Sequence, residues 1–447
     1  MNNSSNILEG NIFRGLIKLA IPIMATSFLQ MTYNLIDMIW IGRLGSLSIA
    51  AVGTAGFLMW LGMSLVIIPK IGAEVLVSQS IGKNDEIEAK NSARSALQLV
   101  IVFGILYAFI LIVFNKQLIN FFHINNEYVV NEARQYLKII GFGIIFAFIN
   151  PVFTAIYNGY GNSRTPFKIN VIGVAINIVF DPILIFYFHM GVKGAAIATI
   201  MGHVVVSLIF ISKIKCGNDI FNEFNLLKEI DFKKIRSIIK LGIPVGIRSG
   251  LFTFIAMIIA RIIASWGPIP IAVQKIGSQL EALSWMTSEG FATATSTFIG
   301  QNYGSKNYHR VKKIYYKSII IMTTIGFFVT LLFMVFPKQI FSIFINEKES
   351  LKEGVIYLRI LGLSQIFMCI EITTSGAFNG LSKTIYPSVI SVVFNLLRIP
   401  FALTLSATVL GLSGIWWAIS ISSMLKGIFA VGGFMYLIKK RPTTIFK

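Results

Sequence analysis

Between Asn170 and Phe186 the chain reads NVIGVAINIVFDPILIF. One carboxylate, Asp181, stands inside an apolar run, and the amide of Asn177 precedes it by four residues. On a helix that spacing is just over one turn, so amide and carboxylate share a face and make an oxygen-lined patch. An ionised carboxylate surrounded by hydrocarbon is costly unless a proton, a cation or a polar partner neutralises it. The pattern therefore points to proton or cation chemistry, with a structural polar network as the plain alternative.

Five of the other acidic residues also stand in apolar runs: Asp37, Glu74, Glu281, Glu289 and Glu371. Glu74 follows Lys70 by one turn, a pair that neutralises itself. Glu281 and Glu289 are two turns apart, roughly on one face, and Lys275 lies close enough in sequence to bridge Glu281. Glu371, in IFMCIEITTSG, could face Arg248, Arg261 or Arg398. Together with Gln274 and Arg398, the three glutamates Glu281, Glu289 and Glu371 form a secondary set of substrate or proton candidates.

The elements that must position these groups are membrane spans. The 447 residues are 55% hydrophobic and only 13% charged, with mean hydropathy +0.75, against about 25% charged in a soluble domain. Twelve apolar runs are long enough to cross a hydrocarbon core as helices. The net charge of +20 follows the loops instead of one surface: Lys and Arg gather beside the loops on the side that holds both termini, seven of them from Lys213 to Lys240. The positive-inside rule then places both termini in the cytoplasm of a plasma-membrane protein, and lipid headgroups account for the basic excess without a nucleic-acid partner. Cys216 and Cys369 are the only cysteines, and the four histidines are scattered, so neither a disulfide framework nor a metal cluster follows.

The chain repeats itself. LAIP at Leu19 to Pro22 returns as LGIP at Leu241 to Pro244, SQSIGKND returns as GQNYGSKN with Gln79 on Gln301, and NGYGNSRTP returns as NGLSKTIYP. Gly45 matches Gly267, and the pair Gly191 and Gly194 matches Gly411 and Gly414. The expected organisation is an N-terminal six-helix lobe over 1–214, a cytoplasmic linker over 215–236 and a C-terminal six-helix lobe over 237–447. Six spans per half make the repeat parallel, as in some secondary transporters. Carried across the repeat, Asp37 falls on Ile259, Asn177 on Arg398 and Asp181 on Ala402. The duplicated fold therefore does not need acids at these places, and one half has acquired something the other lacks. Pro22 and Pro244 stand at equivalent positions, where each removes a backbone hydrogen bond and permits a kink.

LAIPIMATSFLQMTYNLIDMIWIGRLG, NGYGNSRTPFKINVIGVAINIVFDPILIF, LGIPVGIRSGLFTFIAMIIARIIASWG and STFIGQNYGSKN, in this order over both halves, resemble the multidrug and toxic compound extrusion (MATE) family, most of all its prokaryotic DinF-like branch. The resemblance implies an all-α membrane protein of two six-helix lobes that exports organic cations by antiport against H+ or Na+. It also implies a cation site of Asp37, Asn177, Asp181 and Thr199, with Na+ at the first three as the one metal to expect. In the branch that resembles NorM the acids of the second lobe lead instead, which keeps Glu281, Glu289 and Glu371 in play. The implied protein is a monomer without cofactors, embedded in lipid. A flippase for a lipid-linked sugar is the neighbouring alternative, since it would use intramembrane cations such as Arg248, Arg261, Lys275 and Arg398. Enzymatic function lacks a signature: there is no HExxH, no paired-aspartate motif and no phosphate-binding GxxxxGK[ST] loop.

Overall fold

The structure, a computed structural model, describes residues 7–124, 126–215, 224–226, 228–345 and 347–440. Cys216 and much of the 215–236 linker lie outside the described residues. Twelve long helical stretches follow one another: α1 (Ile12–Gly42), α2 (Ser46–Gly82), α3 (Glu86–Val113), α4 (Glu127–Tyr160), α5 (Arg164–Pro182), α6 (Gly191–Lys215), α7 (Phe232–Ala264), α8 (Pro268–Gly304), α9 (Tyr308–Val335), α10 (Lys348–Gly362 and Gln365–Gly380), α11 (Ile385–Leu396 and Arg398–Ser406) and α12 (Leu412–Lys440). Among the described residues there is no strand. Ten of these stretches are long and apolar enough to span a membrane, and the two pieces of α10, bent by 48° at their junction, make an eleventh. The remaining one, α8, has 37 residues but carries Lys275, Glu281 and Glu289.

The helices begin and end where local chemistry dictates. Asp85 caps α3 by accepting from the Glu88 amide at 2.8 Å, and its repeat counterpart Asn307 caps α9 through the Arg310 amide at 3.2 Å. Gly45 and Gly267, paired by the repeat, hold left-handed φ values of 111° and 105° ahead of α2 and α8, a conformation that a Cβ disfavours. The duplication read in the sequence is thus repeated in capping and backbone.

Two compact units result. The first comprises Ile21–Gly246 and the second Ser5–Ala20 with Ile247–Lys447. Helices α1 and α7 each change unit partway along their length, and Pro22 and Pro244 lie within three residues of those changes. In the first unit a buried aromatic seam, with Tyr107 stacked on Phe148 at 5.6 Å and Phe153 on Phe210 at 5.0 Å, holds α3, α4 and α6. In the second, Tyr315 and Phe434 join α9 to α12 with ring centroids 4.1 Å apart. Close helix crossings recur at matched glycines. A Cβ on Gly159 of α4 would meet the Glu74 carbonyl of α2 at 2.8 Å, and one on Gly380 of α10 the Ser296 carbonyl of α8 at 2.5 Å. Small residues let backbones approach and add packing in a lipid setting that supplies no hydrophobic drive between helices.

Candidate functional site

In the first unit the crossing of α5 and α6 sets the site. A Cβ on Gly202 would come to 2.8 Å from the Gly173 carbonyl, and one on Gly173 would strike Val206 at 2.3 Å, so both positions must stay small. Asn177 lies one turn beyond Gly173, its Cβ only 3.6 Å from where a Cβ on Gly202 would be. Asp181 is fully buried and Asn177 is 2% exposed. Asn177 Nδ2 donates to Asp181 Oδ1 at 3.2 Å, as their one-turn spacing requires.

Helices α1 and α6 bring the remaining groups. Tyr33, one turn before Asp37, donates its hydroxyl to Thr199 Oγ1 at 3.2 Å. Asp37 interacts electrostatically with Asp181 and with Tyr33 and Tyr136. All four residues expected at the cation site, Asp37, Asn177, Asp181 and Thr199, therefore belong to one cluster. Within it Asp37 Oδ1, Asn177 Oδ1 and Asp181 Oδ2 are buried and, among the described residues, accept no hydrogen bond. Three buried acceptors without donors are the donor set for a proton or a hard cation, and leaving them bare is costly. Among the described residues no group of three or more His, Cys, Asp or Glu side chains gathers as a metal cluster; this site is built from two carboxylates, an amide and hydroxyls.

The helix changes form at this point. Pro182 follows Asp181, and the next five residues, Ile183–Tyr187, wind as a π-helix. Proline removes a rung of the ladder, and the wider turn reseats the chain beside the carboxylate. Trp40 meets Phe186 edge-to-face at 6.1 Å, and Ile41, Ile185 and Ala195 form a small buried core there.

The second unit arranges its candidates differently. Glu281 of α8 accepts from the Tyr357 hydroxyl at 2.6 Å, while Lys275 is exposed, so the bridge open to Lys275 in sequence goes to a tyrosine of α10. Glu371 is 5% exposed and accepts from Ser391 at 3.1 Å and Ser375 at 3.4 Å. Arg398 donates from Nε to Ser422 at 2.6 Å and from Nη2 to Ser423 at 3.0 Å. Of the possible arginines, Arg398 lies within electrostatic reach of Glu371 and Glu281, and Arg248 donates to Ser375 at 3.3 Å, whereas Arg261 is exposed. Gln274 is half-buried with its Oε1 unpartnered, and Glu289 is exposed and outside this network.

Sequence reasoning gave Tyr33 no place in the cation site, although its one-turn spacing from Asp37 was there to read. It singled out neither Tyr136 nor Tyr357. It also did not pick out Lys426, a buried lysine in the apolar run of α12. The π turn had one signal, the Asp-Pro step inside a span.

A duplicated pair of six-helix lobes with buried charge inside its spans is the build of a secondary membrane transporter. The MatE family pattern matches residues 22–183 and 244–404, one match in each half. The "probable multidrug resistance protein NorM" of Thermotoga maritima is 28% identical over 435 residues, which cover 94% of this chain and 93% of that protein. The "probable multidrug resistance protein YoeA" of Bacillus subtilis is 24% identical over 97% of this chain and 96% of its own length. A solved outward-facing "multidrug resistance MATE family transporter of the MOP superfamily" superposes with a TM-score of 0.90 at 25% identity, over 98% of this chain and 99% of that one. The chain belongs to the MatE family of multidrug efflux transporters.

Proposed function

We propose that this transporter is an antiporter that couples entry of H+ or Na+ to export of organic, mostly cationic, drugs or metabolites across the cytoplasmic membrane. Asp37, Asn177, Asp181 and Thr199 form the coupling site. The observation that carries this reading is the trio of buried acceptor oxygens on Asp37, Asn177 and Asp181, none with a protein donor. A cation or proton held there satisfies all three groups at once. For exchange, the ion must bind two conformations unequally, because a ligand with equal affinity for both shifts nothing.

Pro22 and Pro244 are the conformational elements of this scheme. Each stands near the place where its helix passes from one unit to the other, and each leaves a rung of that helix unmade. The protein works as a lipid-embedded monomer with both termini and the 215–236 linker in the cytoplasm, and it carries out transport without catalysis. Its basic loops suit the anionic face of that membrane. Glu281, Glu289, Glu371, Gln274 and Arg398 serve substrate or secondary proton contacts.

The test is drug efflux in everted vesicles under imposed sodium or proton gradients, comparing wild type with Asp37→Asn and Asp181→Asn. Gradient-driven efflux should collapse in both variants, and unchanged efflux in both would sink the coupling site. A second reading, a flippase for a lipid-linked sugar or similar amphiphile, draws on the buried cations of the second unit. Gradient-independent exchange of a lipid-linked sugar between leaflets of reconstituted vesicles would favour it.

A further inference from the structure

We propose that Arg398, Lys426 and Arg248 of the second unit form a binding site for an oxyanion, the carboxylate or phosphate group of a transported or membrane-derived molecule. The site is separate from the acidic cluster of the first unit and does not depend on the coupling role given to it.

The starting point is an imbalance of buried charge. Lys426 is 7% exposed and, among the described residues, has neither a hydrogen-bond partner nor a salt bridge. It lies within electrostatic reach of Arg398, Arg248 and Glu371. Arg398 forms no salt bridge among the described residues either, since its Nε and Nη2 go to two serine hydroxyls. The two carboxylates in range, Glu281 and Glu371, are already occupied by the Tyr357 hydroxyl and by Ser375 and Ser391. Three cations thus face two carboxylates, which leaves one positive charge over. A largely buried lysine without a carboxylate partner either gives up its proton or draws a counter-charge to itself, and the guanidinium beside it favours the second when an oxyanion is at hand.

The fold does not impose this cluster. Aligned by the glycines and motifs of the repeat, Arg248 corresponds to Thr26, Arg398 to Asn177, Lys426 to Val206 and Glu371 to Asn150. The first unit builds the same helices with neutral side chains at all four places. What the second unit added is two guanidiniums with planar, directional donors, an ammonium and one carboxylate, a net positive charge beside hydroxyls that suits an oxyanion.

Prolines inside the matching spans supply a second pointer. Pro400 stands two residues after Arg398 in α11 and removes a backbone rung there, while the span stays helical through Leu397. The matching span of the first unit turns from α- to π-helix after Asp181 and Pro182. Proline-interrupted apolar spans in the matching halves of a repeat point to binding sites in transporters. Here one proline follows the carboxylate Asp181 and the other the guanidinium of Arg398.

The experiment uses full-length protein in detergent. Its thermal unfolding midpoint is measured with potassium benzoate, potassium phosphate and phosphatidate, against potassium chloride, benzyl alcohol and diacylglycerol as matched controls. At least one oxyanion should raise the wild-type midpoint where its control does not. A response to benzoate or phosphate assigns a soluble ligand, and a response to phosphatidate alone assigns a lipid headgroup. Lys426→Met and Arg398→Gln should each weaken that binding by about tenfold or more, with Lys426→Arg restoring most of it. If no oxyanion outperforms its control in wild type, or if Lys426→Met binds as tightly as wild type, the proposal is overturned. The wild-type titration decides even where a variant fails to fold. Asp37→Asn should leave oxyanion binding intact, so normal efflux in that variant would remove the coupling reading and leave this one standing.

Discussion

The two halves of this transporter share helices, caps and glycine crossings, yet their interiors carry opposite chemistry. In the first unit Asp37 and Asp181 lie together and three acceptor oxygens have no donor. In the second, Arg398 and Lys426 are held among hydroxyls and two acids that already have partners. One unit lacks positive charge and the other has it in excess. A duplicated fold tolerates either, because helix packing is set by glycines such as Gly159 and Gly380 and by aromatic seams, and not by the charged residues. The charges were free to diverge, and the two interiors came to differ in sign.

The sharpest way to break this contrast is to neutralise its acidic side. Under the proposed coupling role, Asp37→Asn and Asp181→Asn each remove a charge that the bound cation would meet. Loss of one partner of a buried charge interaction costs about 3–5 kcal/mol, so vesicle assays should show gradient-driven efflux falling to background. The size of the loss should be similar for both variants, since the pair acts on one ion.

Enlarging the crossing beneath the site comes next. Gly202→Val puts carbon where the Gly173 carbonyl already lies at 2.8 Å from a Cβ. Overpacking of this kind costs about 1–3 kcal/mol, read as a lower unfolding midpoint together with weaker ion-dependent protection. Gly432, whose Cβ would meet nothing within 4 Å, is the control, and Gly432→Ala should leave both measurements unchanged.

Smaller effects test the edges. Tyr33→Phe removes the hydroxyl that reaches Thr199 and should cost about 0.5–1.5 kcal/mol, seen as a several-fold shift in the ion concentration needed for half-maximal efflux. Arg398→Gln should change which substrates are exported, as measured by resistance profiles, while leaving that ion dependence in place. If Arg398→Gln moved the ion dependence as far as Asp37→Asn does, the separation between the units would fail.

Much of this was legible in the sequence. Composition and span length dictated an all-helical membrane protein, since only closed backbone hydrogen bonding survives in lipid. The repeat was visible in LAIP and LGIP and in SQSIGKND and GQNYGSKN, and the offset of Asp37, Asn177 and Asp181 onto Ile259, Arg398 and Ala402 already separated the halves. The Asn177–Asp181 hydrogen bond also followed from spacing, because residues one turn apart on a single helix have few other places to look. Contacts between helices were not legible in this way. Glu281 found Tyr357 instead of Lys275, Thr199 met Tyr33, and Lys426 entered the neighbourhood of Arg398 because helix rotation and crossing depth decide which faces meet. Those quantities depend on glycines and prolines acting across two helices at once, and the one-dimensional pattern does not contain them. The sequence determined which residues are charged, which face of its own helix each occupies and that the fold is doubled; only the tertiary structure decided which charges are neutralised and which are left waiting for an ion.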